Sequence, residues 1–544
     1  VTAATATLTR LIAESPLRLR AFRLFYFGTI CSALGYTMQS TIAAWVMATL
    51  TPSALMVALV QSASTAPTLL FGMIAGTLAD IIERRTIVLT MHVVLFLATA
   101  LLGVATLTGI IGPTSLLLLT FVIGASFTFY QPAAQASVND LVGRAELGRA
   151  VALGSVAFNV ARAAGPALAG AIAAFLNTGS ALIASAVCFI VMAYSAWTQK
   201  ARERALPGVP ETLVSGVLVG LRYARHSATM RALIVVNLTF SLCGSAFWAL
   251  LPVIARDQLH LGAGGFGLLS AAFGTGAIAG ALSMSRLLSR RKPTSVIALG
   301  IALWTLAILL IAATEITPLA VAGSACAGVA WVAVYATLSS AVQSSAPAWV
   351  RARALATTMV ALMASLAVGS ALWGALATLA GTHIALAASA GVLVLLYVVN
   401  RRVRVEMGRE ADVTASMHLP ELAIKAEPMP DDGPVLIQRE YTIDPAVDIG
   451  EFLRAIHALA PMRRRNGATS WRVFRDLQKD GAYVERYIIA SWAEYVRLRS
   501  RMTIADRELE QNVGRYQCAG VPIRVSRLIG VEPVRPVVDR EPEA

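Results

Sequence analysis

The chain has 544 residues, 57% of them hydrophobic and only 14% charged, with a formal net charge of +14. That balance excludes a single soluble globule and points to an integral membrane protein. Four of the five cysteines (Cys31, Cys188, Cys243, Cys326) lie in apolar runs and Cys518 in a polar tail, which excludes a disulfide framework or a metal-binding spacing.

Residues 1–23 form a basic segment without an apolar core and small-residue cleavage site, so the first apolar run is expected to be retained rather than removed. Six runs follow, each long enough to cross about 30 Å of hydrocarbon: 24–49, 54–79, 86–108, 115–138, 150–175 and 180–198. A basic loop, 199–230, separates this half (24–198) from a second half (231–400) with runs at 231–255, 264–288, 295–313, 318–342, 353–378 and 382–400. A proline-bearing linker, 401–434, leads to a polar segment, 435–532, and a short tail, 533–544.

Twenty-three basic residues fall in segments on the side of the N-terminus, and only Arg256 falls in the opposite loops. By the positive-inside rule both ends are cytoplasmic in an inner, plasma membrane, and the net charge reflects topology and anionic lipid rather than nucleic acid. The halves also repeat. Gly72, Ala75 and Gly76 recur as Gly276, Ala279 and Gly280, while Gly124, Gly165 and Gly170 recur as Gly328, Gly369 and Gly374, all at an offset of 204 residues. Two parallel six-helix halves put a central site at their interface.

After the second run stands GTLADIIERR, in which Gly76, Asp80 and Arg84 line one helical face. Residues 160–170 read VARAAGPALAG. With twelve spans, the six-plus-six repeat and the spacing Gly76, Asp80, Arg84, Arg85, the chain resembles the major facilitator superfamily. Gly165, Pro166 and Gly170 resemble the fifth-helix signature of its antiporter branch. The resemblance implies that Asp80 docks at the start of the eleventh helix near Arg353 and that Arg84 pairs with Asp140, together latching the two halves in the outward-facing state. The second half has Met284 where the matching acid would stand, so only the first half carries this latch.

Arg162 is the only charge well inside a span, and a charge in hydrocarbon is costly enough to suggest function. A structural pairing with Asp257 or Glu315 is the alternative. Gln39, Asn159 and Asn237, beside Tyr36, Tyr130, Trp248 and Tyr335, are candidates to line an aqueous cavity for a bulky cargo. No mid-span carboxylate offers itself as proton carrier.

In the tail, VLIQREYTI alternates as a strand, and Asp448 with Glu451 starts a helix. SWRVFRDL and AYVERYIIA read as a hairpin, Ser491 with Glu494 starts a long second helix, and IRVSRLIGV is a last strand. The order β-α-β-β-α-β predicts a ferredoxin-like fold. The tail resembles the C-terminal module of the transmembrane secretion effector branch, which includes enterobactin exporters, and is similar to dimeric antibiotic-biosynthesis monooxygenases. Trp471, Asp476, Glu485, Trp492, Arg499, Arg501 and Asp506 are candidates for a pocket in it.

The expected fold is thus an all-α polytopic membrane protein with a cytoplasmic α+β module. The expected function is proton-driven export of a bulky, anionic small molecule by alternating access, a catecholate siderophore or an amphiphilic drug, without metal or cofactor. No phosphate-cradling G-x-x-x-x-G-K-[ST] is present, which argues against ATP-driven transport. An uptake permease, a membrane-tethered monooxygenase-like enzyme and dimerisation through the module remain open.

Overall fold

The computed structural model describes residues 15–143, 146–199, 213–400, 405, 407–416 and 428–531, except the side chains of 73, 80 and 213–219. The basic residues at 10, 144, 200–204 and 401–404, the Asp80 side chain and the tail 533–544 lie outside that description.

Twelve long helices form two sets of six. The first to sixth are Arg20–Leu50, Ala54–Ile81, Arg84–Leu107, Pro113–Leu141, Leu147–Phe175 and Thr178–Thr198. The seventh to twelfth are Ala228–Val253, Ala263–Arg290, Pro293–Ala313, Thr317–Ser345, Ala348–Ala380 and Thr382–Val399. Their starts follow local chemistry. Pro113 and Pro293 occupy first-turn positions where a missing N–H costs nothing, and the Asn177 side chain accepts from the Ser180 N–H at 2.8 Å. Eleven of the twelve are apolar and long enough to cross a membrane, and the first is the exception. Its stretch from Tyr36 to Thr41 helps make it the least apolar of the twelve, and it packs chiefly on the fifth and sixth helices.

Three of the repeated glycine pairs do the same work in both halves, while Gly276 and Gly280 pack closely on the tenth helix and their counterparts Gly72 and Gly76 do not. A Cβ on Gly124 would lie 2.7 Å from the Ser64 carbonyl oxygen of the second helix, and one on Gly328 would strike the Phe273 carbonyl oxygen of the eighth. Gly165 abuts Thr37 of the first helix, and Gly369 abuts Ser245 of the seventh. A third pair crosses between halves. Gly170 faces Gly267 of the eighth helix, while Gly374 faces Ala58 of the second. Fifth-to-eighth and eleventh-to-second contacts are what a pseudo-twofold relation between the halves produces.

The chain divides into two compact units. The first holds the described residues up to 213 with 232–339 and 358–406. The second holds 214–231, 340–357 and the described residues from 407 onward. Its sheet consists of β1 (Val435–Thr442), β2 (Ser470–Arg475), β3 (Ala482–Ile489) and β4 (Arg524–Ile529) in the order β2-β3-β1-β4, all antiparallel. With helical crossovers between β1 and β2 and between β3 and β4, this is the ferredoxin-like arrangement. Val435, Ile437, Tyr487 and Ile489 project to one face and bury against Trp492, Tyr495 and Leu498.

Two elements differ from expectation. The single long helix after Ser491 is two, Trp492–Arg501 and Ile504–Gly514, because a capping box of Thr503 and Asp506 starts a fresh helix. The segment between the halves, expected as a loop, contains the helix Leu213–His226, and the second unit takes it in.

Candidate functional site

Within the first unit the two halves meet at the end opposite the arginine-rich loops. Arg256 donates to the Thr51 carbonyl at 2.9 Å, the Leu55 N–H to Thr378 Oγ1 at 3.0 Å, and Ser62 Oγ to the Ala367 carbonyl at 2.7 Å. Trp45 stacks on Phe266 with ring centroids 5.9 Å apart. The fifth and eighth helices run backbone against backbone there, through Gly170 and Gly267 and through Ala163 and Gly274. Nearer the arginine-rich end of the fifth helix, a Cβ on Gly148 or Gly154 would meet nothing within 4 Å, and Val151 and Asn159 are exposed.

Arg162 lies on the fifth helix close to this closed seam. Its guanidinium sits 5.2 Å over the Phe158 ring, and the Tyr335 phenol of the other half is within electrostatic range. Among the described residues no carboxylate pairs with it. Asp257 is engaged by Arg256, at 2.7 Å between Nη2 and Oδ2, and Glu315 is exposed. Tyr335 continues into a polar chain. Its hydroxyl bonds Ser241 Oγ, Ser241 donates to Asn237 Oδ1 at 3.0 Å, and Asn237 Nδ2 donates to the Thr358 carbonyl at 2.8 Å. Beside it Trp248, Phe273 and Trp331 form an aromatic wall, with Trp331 and Tyr335 centroids 4.4 Å apart.

In the first half Tyr36 stacks on Phe127 at 4.0 Å, and Phe127 touches Tyr130. Gln39 is buried, and its Nε2 has no partner. Asn159 donates to the Ser155 carbonyl of its own helix and stands apart from these groups. The structure therefore gathers Asn237, Trp248 and Tyr335 around one wall, reaches Arg162 from it, and keeps Tyr36 with Tyr130 in a second aromatic group.

Sequence reading missed His92. It is fully buried, with Nε2 2.8 Å from Ser32 Oγ, Nδ1 2.8 Å from the Val88 carbonyl, and its ring edge-to-face with Tyr130 at 4.4 Å. As a lone histidine within an apolar run it carried a signal. With a partner on each ring nitrogen it reads as a satisfied core histidine.

At the arginine-rich end, Arg84 Nη1 donates to Asp140 Oδ2 at 2.7 Å and to the Ala136 carbonyl at 2.8 Å. Arg85 turns elsewhere. It donates to the Ala196 and Trp197 carbonyls at 3.1 and 2.9 Å, satisfying the end of the sixth helix. Gly76 has open space beside it.

The pocket candidates of the module do not converge. Glu485 is buried, 3.0 Å from Arg463 Nε, and accepts from Trp471 Nε1 at 2.9 Å and from the Tyr441 hydroxyl at 3.0 Å. Arg463 also meets Glu510 at 2.7 Å, and Arg439 pairs with the same carboxylate. Charges thus fill the interior where a substrate would need space. Asp476 closes a turn by accepting from the Gln478 N–H, Trp492 is core, Asp506 accepts from Asn466 and the Thr503 N–H, and Arg501 joins Glu494.

A family model described as transmembrane secretion effector matches residues 12–535. The multidrug efflux pump Tap of Mycolicibacterium fortuitum is 27% identical over 398 residues, which cover 69% of this chain and 94% of that one. The staphyloferrin A transporter of Staphylococcus aureus (strain NCTC 8325 / PS 47) is 24% identical over 213 residues, 39% of this chain and 53% of that one. Among solved structures, a bacterial homolog of the human lysosomal transporter Spinster in an inward-facing, unoccupied conformation covers 72% of this chain and 98% of its own, with TM-score 0.58 and 14% identity. A POT family transporter in complex with 5-aminolevulinic acid covers 70% and 96%, with TM-score 0.59 and 11% identity. These two likenesses establish the fold.

Proposed function

Because this chain belongs to the transmembrane secretion effector family of major facilitator transporters, we propose that it exports a bulky, anionic small molecule across the plasma membrane, driven by proton exchange through alternating access. Arg162 carries the proposal. A guanidinium over Phe158 and within electrostatic range of Tyr335, with no carboxylate paired to it among the described residues, favours an anion with paired oxygens and disfavours a cation. The relatives support a small-molecule cargo. One is a multidrug efflux pump and the other a transporter of the siderophore staphyloferrin A. A catecholate siderophore is our leading candidate and an amphiphilic drug the second.

In this reading Gly76, Asp80, Arg84 and Asp140 form the gate between the halves, with the Arg84–Asp140 pair, which joins the third and fourth helices of the first half, positioning its loop. Arg85 holds the sixth helix instead. Gly165 packs the fifth helix on the first helix of its own half, while Pro166 and Gly170 bring it against Gly267 of the other half, the contact on which the halves would turn. The skew of basic residues supports cytoplasmic termini and contact with anionic lipid. Dimerisation would use the face of the module's sheet away from its helices, where Leu436, Ile488 and Leu528 line a groove of about 250 Å³.

Flux into inverted vesicles under an imposed pH gradient tests the proposal. Arg162→Lys keeps the charge but loses the planar fork, so it weakens anion export. Arg162→Ala weakens it further. Wild-type rates in both variants, or export of permanently cationic compounds only, would remove the cargo assignment. Flux in the opposite direction would make the protein an uptake permease.

A further inference from the structure

The second compact unit joins three pieces of chain far apart in sequence: the helix Leu213–His226 that connects the halves, the segment 340–357 that ends the tenth helix and begins the eleventh, and the C-terminal module. Glu494 lies at the junction, its side chain only 13% exposed. It accepts from Arg222 Nη2 of the connector at 3.2 Å and from Arg501 Nη1 of the module at 2.7 Å. The Arg501 guanidinium covers the Trp349 ring at 4.5 Å, in the first turn of the eleventh helix. Tyr223 of the connector is buried edge-to-face against Trp349 and donates to the Ser345 carbonyl at 3.2 Å. One carboxylate and one indole thus tie connector, eleventh helix and module together, through partly buried ion pairs and cation–π contacts stronger than their exposed counterparts.

We propose that this junction is a conformational clasp, by which the C-terminal module restrains the transport cycle and holds the halves in the state whose outer seam is closed. The connector is the only covalent link between the halves, and the eleventh helix supplies one side of the seam through Ala367, Gly374 and Thr378. Interactions present in one state and lost in the other set their populations. Releasing the clasp therefore opens the seam. The inference rests on membership of the transporter family and not on the cargo.

The experiment uses the full chain in detergent, its five native cysteines replaced by serine, with Ser62→Cys as reporter inside the closed seam. In this background Arg222→Gln, Glu494→Gln and Trp349→Ala each raise the labelling rate of the reporter by a maleimide roughly fivefold, the change in a two-state ratio expected from one lost pairing of this kind. Arg222 lies outside the module, so Arg222→Gln remains decisive if Glu494→Gln unfolds it. Unchanged labelling in Arg222→Gln and Trp349→Ala, at normal yield and monodispersity, overturns the clasp and leaves the junction a structural support. Arg162→Ala, which disables cargo binding, leaves the labelling shift intact, so failure of the cargo reading and failure of the clasp are distinguishable.

Discussion

A single missing methyl group sets the packing of the first half. Thr37 Oγ1 lies 3.0 Å from the Ala161 carbonyl of the fifth helix, and a Cβ on Gly165 would occupy the place of that hydroxyl. Gly165→Ala therefore forces the first and fifth helices apart, at a cost of about 1–3 kcal/mol as overpacking. Thermal inactivation in detergent shows the loss, and Thr37→Ala in the same chain recovers part of it by removing the hydroxyl. An unchanged midpoint in Gly165→Ala would mean that the helices adjust freely. The need for glycine was legible in VARAAGPALAG only through family resemblance, because the opposing Thr37 lies 128 residues before Gly165. Arg162 was legible from hydrophobicity alone. Its neighbours Phe158 and Tyr335 were not, since nothing in the linear sequence aims a ring at a charge.

At the scale of elements, hydropathy placed every long helix within a few residues, because the requirement to shield backbone polar groups in hydrocarbon leaves little freedom. Alternation likewise placed the four strands. It did not reveal how the module's core is held. Burial alone would raise the Glu510 carboxyl, but the charges of Arg463 and Arg439 outweigh it and hold the group down at about 2. Burial acts against Glu485 in the same way, and the same arginines hold it below the usual range. An unfolded glutamate titrates near about 4.3, so the folded module binds fewer protons between these values. The resulting stability is complete above about pH 4.3 and is lost as the pH falls toward 2. In calorimetry of the full chain, the module's transition is expected to fall across that window. Glu510→Gln should lower it already at neutral pH, by about 3–5 kcal/mol as two buried arginines lose their partner, and make the acid slope shallower. A transition independent of pH between 4 and 2, within roughly the window these pKa values define, would show that the network does not stabilise the fold.

For the whole molecule, the offset of 204 residues in the sequence becomes a division of labour: Gly124 with Gly328 and Gly165 with Gly369 pack equivalent helices, and Gly170 with Gly374 exchanges partners between halves, whereas Gly276 and Gly280 pack on the tenth helix and Gly72 and Gly76 have no such partner. What the sequence hid is the second unit, since Arg222 and Glu494 stand 272 residues apart and a polar connector reads as a loop. The first helix carries a different consequence, for biosynthesis. Among the described residues it is the least apolar of the twelve long helices, and it packs on the fifth and sixth helices, which begin at Leu147 and Thr178 and are synthesised much later. Hydrophobic partitioning therefore favours its insertion less than that of the other eleven. Its insertion is expected to gain from the later helices that pack on it, with Arg18, Arg20 and Arg23 keeping its start on the positive side. A glycosylation reporter fused after Leu50 should therefore register poor insertion of residues 15–50 alone and efficient insertion once the chain extends through Thr198. Efficient insertion of the short fragment would mean that the helix needs no partner to enter the membrane.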